Sequence, residues 1–364
     1  MSPVDFALIG HSESWNAAAA MVAKLRRPGM TPIPLEDIRE ILPWIPPRTV
    51  CRITVRSSRG NEAHGVYIDS FIPPGRLEDG FRRENLLRVR QSAEYAVREK
   101  ARIATLGGFS SILLEGKTDF LPQHPGTVFT TGNTLTVAFI IQGIEQALDL
   151  AGRDLGGSNV LIIGATGDVG SGCARCLAPR VNRLLLCARN QGRLTDLANE
   201  LSGLGAEVEA HTDLPRLSGT VDLVVCVASL PAPALLLETL SPDAIICDAG
   251  YPKNLQPGFM PAEGAVFFGG MGQASAGLHP DPDLSGMLNH PFPNVAHGCL
   301  FEGMALALEG KFEPFSRGRG LITPLRVKEI WEIANRHGII LAPLFNGEGP
   351  VEMKIRGLSR AVRR

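Results

Sequence analysis

The sequence predicts an α/β protein: a Rossmann-like doubly wound parallel sheet, with an N-terminal α/β domain before it and a helical segment after it. Three observations predict it. The apolar run Asn159-Val160-Leu161-Ile162-Ile163 ends directly in Gly164-Ala165-Thr166-Gly167-Asp168-Val169-Gly170. Strand-like apolar runs then alternate with helical stretches to residue 268, the order that a parallel sheet requires. Ahead of them Val137, Ile140, Ile141, Ile144, Ala147 and Leu148 recur at helical spacing. That single apolar stripe can carry the chain from one domain into the next. The boundaries that follow are residues 1–135 for an N-terminal substrate domain, 136–298 for a dinucleotide domain and 299–364 for a C-terminal helical segment.

In the first domain, residues 5–9 read as a strand leading into Gly10-His11-Ser12-Glu13-Ser14, which can cap a helix over 15–25. Residues 50–56 and 63–68 flank Ser57-Ser58-Arg59-Gly60-Asn61, a hairpin pattern. Residues 79–102 carry apolar positions at helical spacing. Two loops rich in glycine and hydroxyls follow, Thr105-Leu106-Gly107-Gly108-Phe109-Ser110-Ser111 and Phe129-Thr130-Thr131-Gly132-Asn133-Thr134.

In the second domain the glycine turn is the informative element. A buried strand entering a tight turn and then a helix lets backbone N–H groups approach a pyrophosphate, and glycines remove the side chains that would block it. Gly164, Thr166, Gly167, Asp168, Val169 and Gly170 are therefore candidate cofactor contacts. The next strand, 183–188, ends at Arg189-Asn190-Gln191-Gly192-Arg193. A carboxylate there would suit the ribose 2′-hydroxyl of NAD; Arg189 and Arg193 suit a 2′-phosphate, so NADP(H) is expected. Residues 207–210, 222–228, 244–248 and 265–268 complete the strands. The loops after them place Ala228, Ser229 and the segment Gly250-Tyr251-Pro252-Lys253-Asn254 near the cofactor. Residues from 299 onward read as helical, most clearly over 302–308 and 326–336.

Composition narrows the function classes. The chain has 364 residues, 44% of them apolar, and a net charge of −1, which argues against a general nucleic-acid binder. No secretory signal is read near the start, and the longest apolar stretch, 136–150, is interrupted by Gln142, Glu145 and Gln146, so no transmembrane segment is expected. Seven cysteines without scaffold spacing suggest reduced thiols in a cytoplasmic protein. Cys173-Ala174-Arg175-Cys176 falls inside a predicted helix with no second ligand pair, so no metal site is expected. Cys299 stands apart. It follows a connection containing Pro291, Pro293, His297 and Gly298 and opens a helix, where the dipole and free N–H groups favour thiolate. On its own, such a cysteine on an apolar helix is more often a packing residue than a catalytic one.

Taken together, these motifs resemble the long-chain acyl-[acyl-carrier-protein] reductases, NADPH-dependent enzymes that make fatty aldehydes. The resemblance runs over nearly the whole chain. It rests on Leu8-Ile9-Gly10-His11, His64-Gly65 with Tyr67-Ile68, residues 106–112, Phe129-Thr130-Thr131-Gly132-Asn133-Thr134 and the 164–170 turn. It extends through Ala188-Arg189-Asn190-Gln191, Val227-Ala228-Ser229, residues 250–255 and the helix holding Cys299, Glu302, Met304 and Glu309-Gly310. Two departures stand out: Leu135 where the family pattern has histidine, and the Gly-, Pro- and Asp-rich stretch 271–290.

The resemblance implies that Cys299 accepts the acyl group of a fatty acyl thioester, delivered by acyl carrier protein or coenzyme A, before hydride transfer from NADPH. Ser110, Thr131, Asn133 and Thr134 become candidate substrate contacts. Ser111 joins backbone N–H groups as an oxyanion donor, and His297, Tyr251 and Lys253 are candidates for proton transfer. Arg82, Arg83, Arg88 and Arg90 offer a docking face for an acidic carrier protein. Two other readings stay open on the residues alone: a dehydrogenase of the shikimate or amino-acid type with no covalent intermediate, and a non-catalytic NADP(H)-binding protein.

Overall fold

Strands covered by helices on both faces are apolar along their whole length, and this chain folds the corresponding runs into parallel sheets. The structure is a computed structural model. It describes all residues except 1–3, 13, 28, 77–78, 116, 214–220, 229–239, 252, 254, 256–260, 262, 284–289, 319 and 362–364. By internal contacts it divides into two units. One comprises residues 1–133, 272–321 and 329–340; the other comprises 134–271, 322–328 and 341–364.

The first unit begins with β1 (Phe6–Gly10), α1 (Trp15–Lys24), α2 (Leu35–Ile41), β2 (Arg48–Arg56) and β3 (Glu62–Asp69). The Ser14 hydroxyl caps α1 by accepting from Ala17 N–H. β2 and β3 form the expected antiparallel hairpin. The helical stretch near residue 80 is α3 (Arg82–Arg98), followed by β4 (Ile103–Leu106), α4 (Phe109–Leu114) and β5 (Val128–Thr130). The two glycine loops of the sequence are thus shorter than expected. Gly107-Gly108 alone turns β4 into α4, which Gly108 permits at φ +53°. β1 is parallel to both β3 and β4, and β4 to β5.

The chain then enters the second unit. The long stripe becomes α5 (Asn133–Ala151), and Val137, Ile140, Ile141, Ile144, Ala147 and Leu148 are all buried. β6 (Asn159–Ile163), α6 (Asp168–Leu177), β7 (Arg183–Cys187), α7 (Gln191–Leu201), β8 (Glu207–His211), β9 (Val221–Cys226), β10 (Leu240–Asp248) and β11 (Ala265–Phe268) follow. Among the described residues they form one sheet in the order β11-β10-β9-β6-β7-β8, parallel throughout. This is the doubly wound order, with β6 at its switch point.

Residues 272–321, expected within the dinucleotide domain and the C-terminal segment, pack with the first unit instead. β12 (Met271–Ala274) leads to β13 (Leu278–Asp281), which pairs antiparallel with β2 and extends that sheet to the order β13-β2-β3-β1-β4-β5. The stretch 271–290 that departs from the family pattern therefore supplies an edge strand. After β14 (Val295–His297), α8 (Gly298–Glu309) packs on β1, β3 and β4. Gly303 lies so close to Thr105 that a Cβ would stand 2.1 Å from its Oγ1. Local patterning carries no trace of this return, because each contact joins residues far apart in sequence.

α9 (Pro324–Arg336) was expected as helix; the residues after it were not expected as strand. β15 (Ile339–Leu341) and the hairpin β16 (Phe345–Asn346) and β17 (Gly349–Pro350) precede α10 (Glu352–Ala361). Gly338 at φ +75° stops α9 and reverses the chain. The adjoining His337 ties the first unit together. Its Nδ1 is 2.9 Å from Ser57 Oγ and its Nε2 is 2.7 Å from Glu309 Oε2.

Candidate functional site

Two groups of sequence-predicted site residues gather, one in each unit. In the first unit the C-terminal ends of β1, β4 and β5 meet the start of α8. Cys299 is the second residue of that helix, after the N-cap His297. Gly132, at φ +74°, lies flush against it: a Cβ there would fall 2.4 Å from the Cys299 Cα. On another side a Cβ on Gly107 would fall 2.9 Å from a Leu300 methyl. Only glycines let the β4–α4 and β5–α5 turns approach the helix this closely.

Three backbone N–H groups, of Gly108, Leu300 and Cys299 itself, favour the Cys299 thiolate. The expectation that a helix start lowers this thiol is nevertheless overturned. Burial is the largest influence, the Glu302 carboxylate adds to it, and together they push the thiol up to about 11. The dipole of one helix end is worth a fraction of what desolvating a thiolate costs.

Glu302, one helical turn after Cys299, is fully buried. It accepts from Thr130 Oγ1 at 2.5 Å and from Ser316 Oγ at 3.2 Å. Ser316 in turn accepts from Thr131 Oγ1 at 2.6 Å and from Asn133 N–H at 3.2 Å. This network stitches the β5–α5 turn to α8. Thr131 therefore spends its proton on Ser316. Ser111 spends its own on the Gly108 carbonyl, 2.8 Å away, while the buried Ser110 hydroxyl has no hydrogen-bond partner among the described residues. Glu302 signalled itself in sequence as a carboxylate inside an apolar helix, one turn from the cysteine. Ser316 carried no signal.

In the second unit the glycine turn has the shape expected of a pyrophosphate cradle. Gly164 sits at φ +91°, and a Cβ on it would lie 2.8 Å from Ala228 N. A Cβ on Gly170 would lie 2.2 Å from the Gly164 carbonyl oxygen. Gly167 caps α6, and Asp168 opens it. Thr166 lies in the turn, and Val169 follows Asp168 in the first turn of α6. Arg189 and Arg193 are exposed just past β7, and Asn190 caps α7 by accepting from Arg193 N–H at 3.0 Å. These residues fit a dinucleotide with a 2′-phosphate.

Past β10, the Asp248 carboxylate accepts from Gly250 N–H and Leu255 N–H, each at 3.1 Å. Lys253 Nζ donates to the Asp248 carbonyl at 3.1 Å and lies 4.5 Å from the Phe268 ring centre. Tyr251 is half-buried on the same loop. Thr134 and Leu135, the departure from the family histidine, are both fully buried at the start of α5. Ser229, Pro252 and Asn254 lie outside the described residues.

The arginine cluster divides. Arg82 and Arg83 are exposed on α3. Arg88 faces inward, against expectation: its guanidinium donates to the carbonyls of Ile45 at 2.8 Å, of Ser70 and Phe71 at 3.2 Å each, and of Pro43. Arg90 pairs with Glu94 at 3.1 Å and covers the Phe120 ring. None of the described helices is long and apolar enough to cross a membrane.

No protein-family model matches the chain. It is 33% identical over 342 residues to "Long-chain acyl-[acyl-carrier-protein] reductase" of Synechococcus elongatus, covering 92% of this chain and 97% of that protein. It is 29% identical over 293 residues, 75% of the chain, to "Aminotransferase PigE" of a Serratia strain, and spans 32% of that longer protein. Among solved structures, L-tryptophan dehydrogenase from Nostoc punctiforme is similar at 14% identity and a TM-score of 0.32, over 82% of this chain and 76% of that one. The iminosuccinate reductase of Paracoccus denitrificans in complex with NAD+ is similar at 26% identity and a TM-score of 0.26, over 33% and 37%. Those TM-scores are too low for either likeness to bear on function.

Proposed function

We propose that this chain, which belongs to the long-chain acyl-[acyl-carrier-protein] reductase family and is an NADPH-dependent oxidoreductase, reduces a fatty acyl thioester to the aldehyde through an acyl-enzyme on Cys299. The observation that carries the covalent step is the setting of Cys299: a half-buried thiol at the start of α8, met by the Gly108 N–H, with glycine backbone on two sides.

Because burial holds the thiol protonated at neutral pH, acyl transfer needs a base. His297, Tyr251 and Lys253 are the candidates, and His297 lies two residues before Cys299 in the chain. The base takes the thiol proton, and Cys299 Sγ attacks the thioester carbonyl. The tetrahedral oxyanion would be stabilised by backbone N–H groups at the start of α8, with the hydroxyls of Ser110, of Ser111 once released from the Gly108 carbonyl, and of Thr134 as further candidate donors. Collapse breaks the carrier C–S bond, and the carrier sulfur takes the proton. The 164–170 turn, Ala228, Ser229, Asn190, Arg189 and Arg193 would hold NADPH, which would supply a hydride to the acyl carbon. Cys299 then leaves the reduced carbon as thiolate, the aldehyde forms, and the base, whose first proton went to the carrier sulfur, takes another from solvent and returns it to the Cys299 sulfur. Thr131 and Asn133 shape the acyl site through their bonds to Ser316. The acyl group comes from an acidic acyl carrier protein docking at Arg82 and Arg83, or from coenzyme A, and the protein is cytoplasmic.

Intact mass spectrometry after incubation with an acyl thioester and no NADPH tests this. A mass gain equal to the acyl group, absent in Cys299→Ala, is expected. A chain that stays unmodified yet reduces the thioester when NADPH is added would exclude the acyl-enzyme.

A further inference from the structure

The proposed nucleophile is met by the N–H of Gly108, a residue in the left-handed region of φ that no side chain fixes by itself. We propose that His11 is a positioning residue for the Cys299 centre: its Nε2 anchors the Gly108–Phe109 peptide turn and so holds the Gly108 N–H on the Cys299 sulfur. The proposal rests on Cys299 being the reacting thiol.

Four observations within the first unit carry it. The Phe109 N–H donates to His11 Nε2 at 3.2 Å, across 98 positions of sequence. The imidazole also sits edge-on to the Phe109 ring, with centroids 5.9 Å apart. Its other nitrogen, Nδ1, is 3.4 Å from the Ser12 carbonyl oxygen. A neutral ring with its proton on Nδ1 satisfies both contacts at once: Nδ1–H donates to Ser12, and Nε2 is left as acceptor for Phe109. Burial, which pulls His11 down to about 4, keeps the ring in that neutral form over the physiological range. Finally, Gly108 at φ +53° and ψ −126° takes a conformation open to glycine alone, and a residue with so many accessible conformations keeps this one only where its neighbours hold the turn.

The geometry links the two ends. Gly107 N–H is bonded to the Ile9 carbonyl at 2.8 Å, at the end of the same strand that delivers His11. β1 therefore holds the turn at Gly107 through its backbone and at Phe109 through its histidine. Gly108, between them, is left facing the thiol. The Gly108 N–H is the largest of the three backbone N–H influences that offset the desolvation of this sulfur, while Glu302 on α8 acts in the opposite sense.

The test is the pH profile of Cys299 alkylation by iodoacetamide, read on the Cys299 peptide by mass spectrometry, with no substrate or cofactor present. It compares wild type with His11→Leu, which removes the acceptor, and His11→Gln, which returns an oxygen at the Nε2 position. His11→Leu is expected to alkylate about tenfold more slowly at pH 9, with its profile moved up by about one pH unit. His11→Gln is expected to track wild type. If His11→Leu does not fold, as judged by circular dichroism, His11→Asn takes its place, because its amide oxygen falls at the Nδ1 position instead. Profiles that coincide for all folded variants would overturn the role of His11. Failure to acylate in the mass-spectrometry experiment above, with the alkylation shift intact, would overturn the acyl-enzyme and leave the anchoring of Gly108 standing.

Discussion

Gly132 and Cys299 are packed backbone to backbone: an added Cβ on Gly132 would lie 2.2 Å from the Cys299 carbonyl oxygen, at a φ of +74°. Gly132→Ala therefore meets both a left-handed backbone and a contact with main chain that cannot swing away. The expected loss is about 2–4 kcal/mol of unfolding free energy. Urea denaturation measures it. A variant that unfolds at the wild-type midpoint would show that the β5–α5 turn does not press on α8.

The Cys299 thiol, raised to about 11, should be slow towards alkylating agents at pH 7. Its rate is expected to climb about tenfold per pH unit between pH 7 and 10 and to level off above 11. A plateau already at pH 8 would mean that the free thiol is activated without any help from substrate.

Asp69 is buried at the end of β3, accepting from Phe71 N–H at 2.6 Å and from the Ser12 hydroxyl at 3.3 Å. Burial raises it to about 7 from its ordinary 3.8, against the pull of those bonds and of Arg88. Between pH 4 and 7 the folded chain keeps a proton that the unfolded chain has released. Its stabilising effect is complete below pH 4 and declines as pH rises through 7, by about 1.4 kcal/mol per pH unit inside that window. Asp69→Asn keeps an acceptor for Phe71 and removes the titration. The variant should be the more stable protein at pH 8 and lose that advantage towards pH 4.5. Parallel pH curves for the two proteins would assign the dependence elsewhere.

Arg189, exposed past β7, is expected to select the 2′-phosphate. Arg189→Glu should raise KM for NADPH about tenfold or more while leaving NADH little changed, since only NADPH carries the phosphate that the carboxylate would repel. An equal effect on both nucleotides would place Arg189 away from that phosphate.

Charge reversal at Arg82 and Arg83 together should raise KM several-fold for a carrier-protein thioester and not for the same acyl group on coenzyme A. Arg88→Glu should instead destabilise the fold, because its guanidinium serves four buried-side carbonyls. Steady-state kinetics and thermal melts separate the two. A wild-type melt for Arg88→Glu would contradict the inward placement.

Much of this protein was legible in one dimension. The apolar runs from Asn159 to Phe268 announced a parallel sheet because strands buried on both faces must be apolar throughout, and Gly164, Gly167 and Gly170 marked the turn because only glycines allow backbone to close on backbone there. The position of Cys299 at a helix start was readable from the Pro- and Gly-containing connection before it. Tertiary structure alone decided what surrounds that thiol. The return of residues 272–321 to the first sheet, the placing of His11, Gly108, Gly132 and Ser316 around α8, and the inward turn of Arg88 all join residues tens to hundreds of positions apart. Local periodicity records which face of an element is apolar, not which distant element will cover it. The thiol pKa follows the same division: the helix end that favours thiolate is written in the sequence, and the burial that outweighs it exists only once the chain has folded.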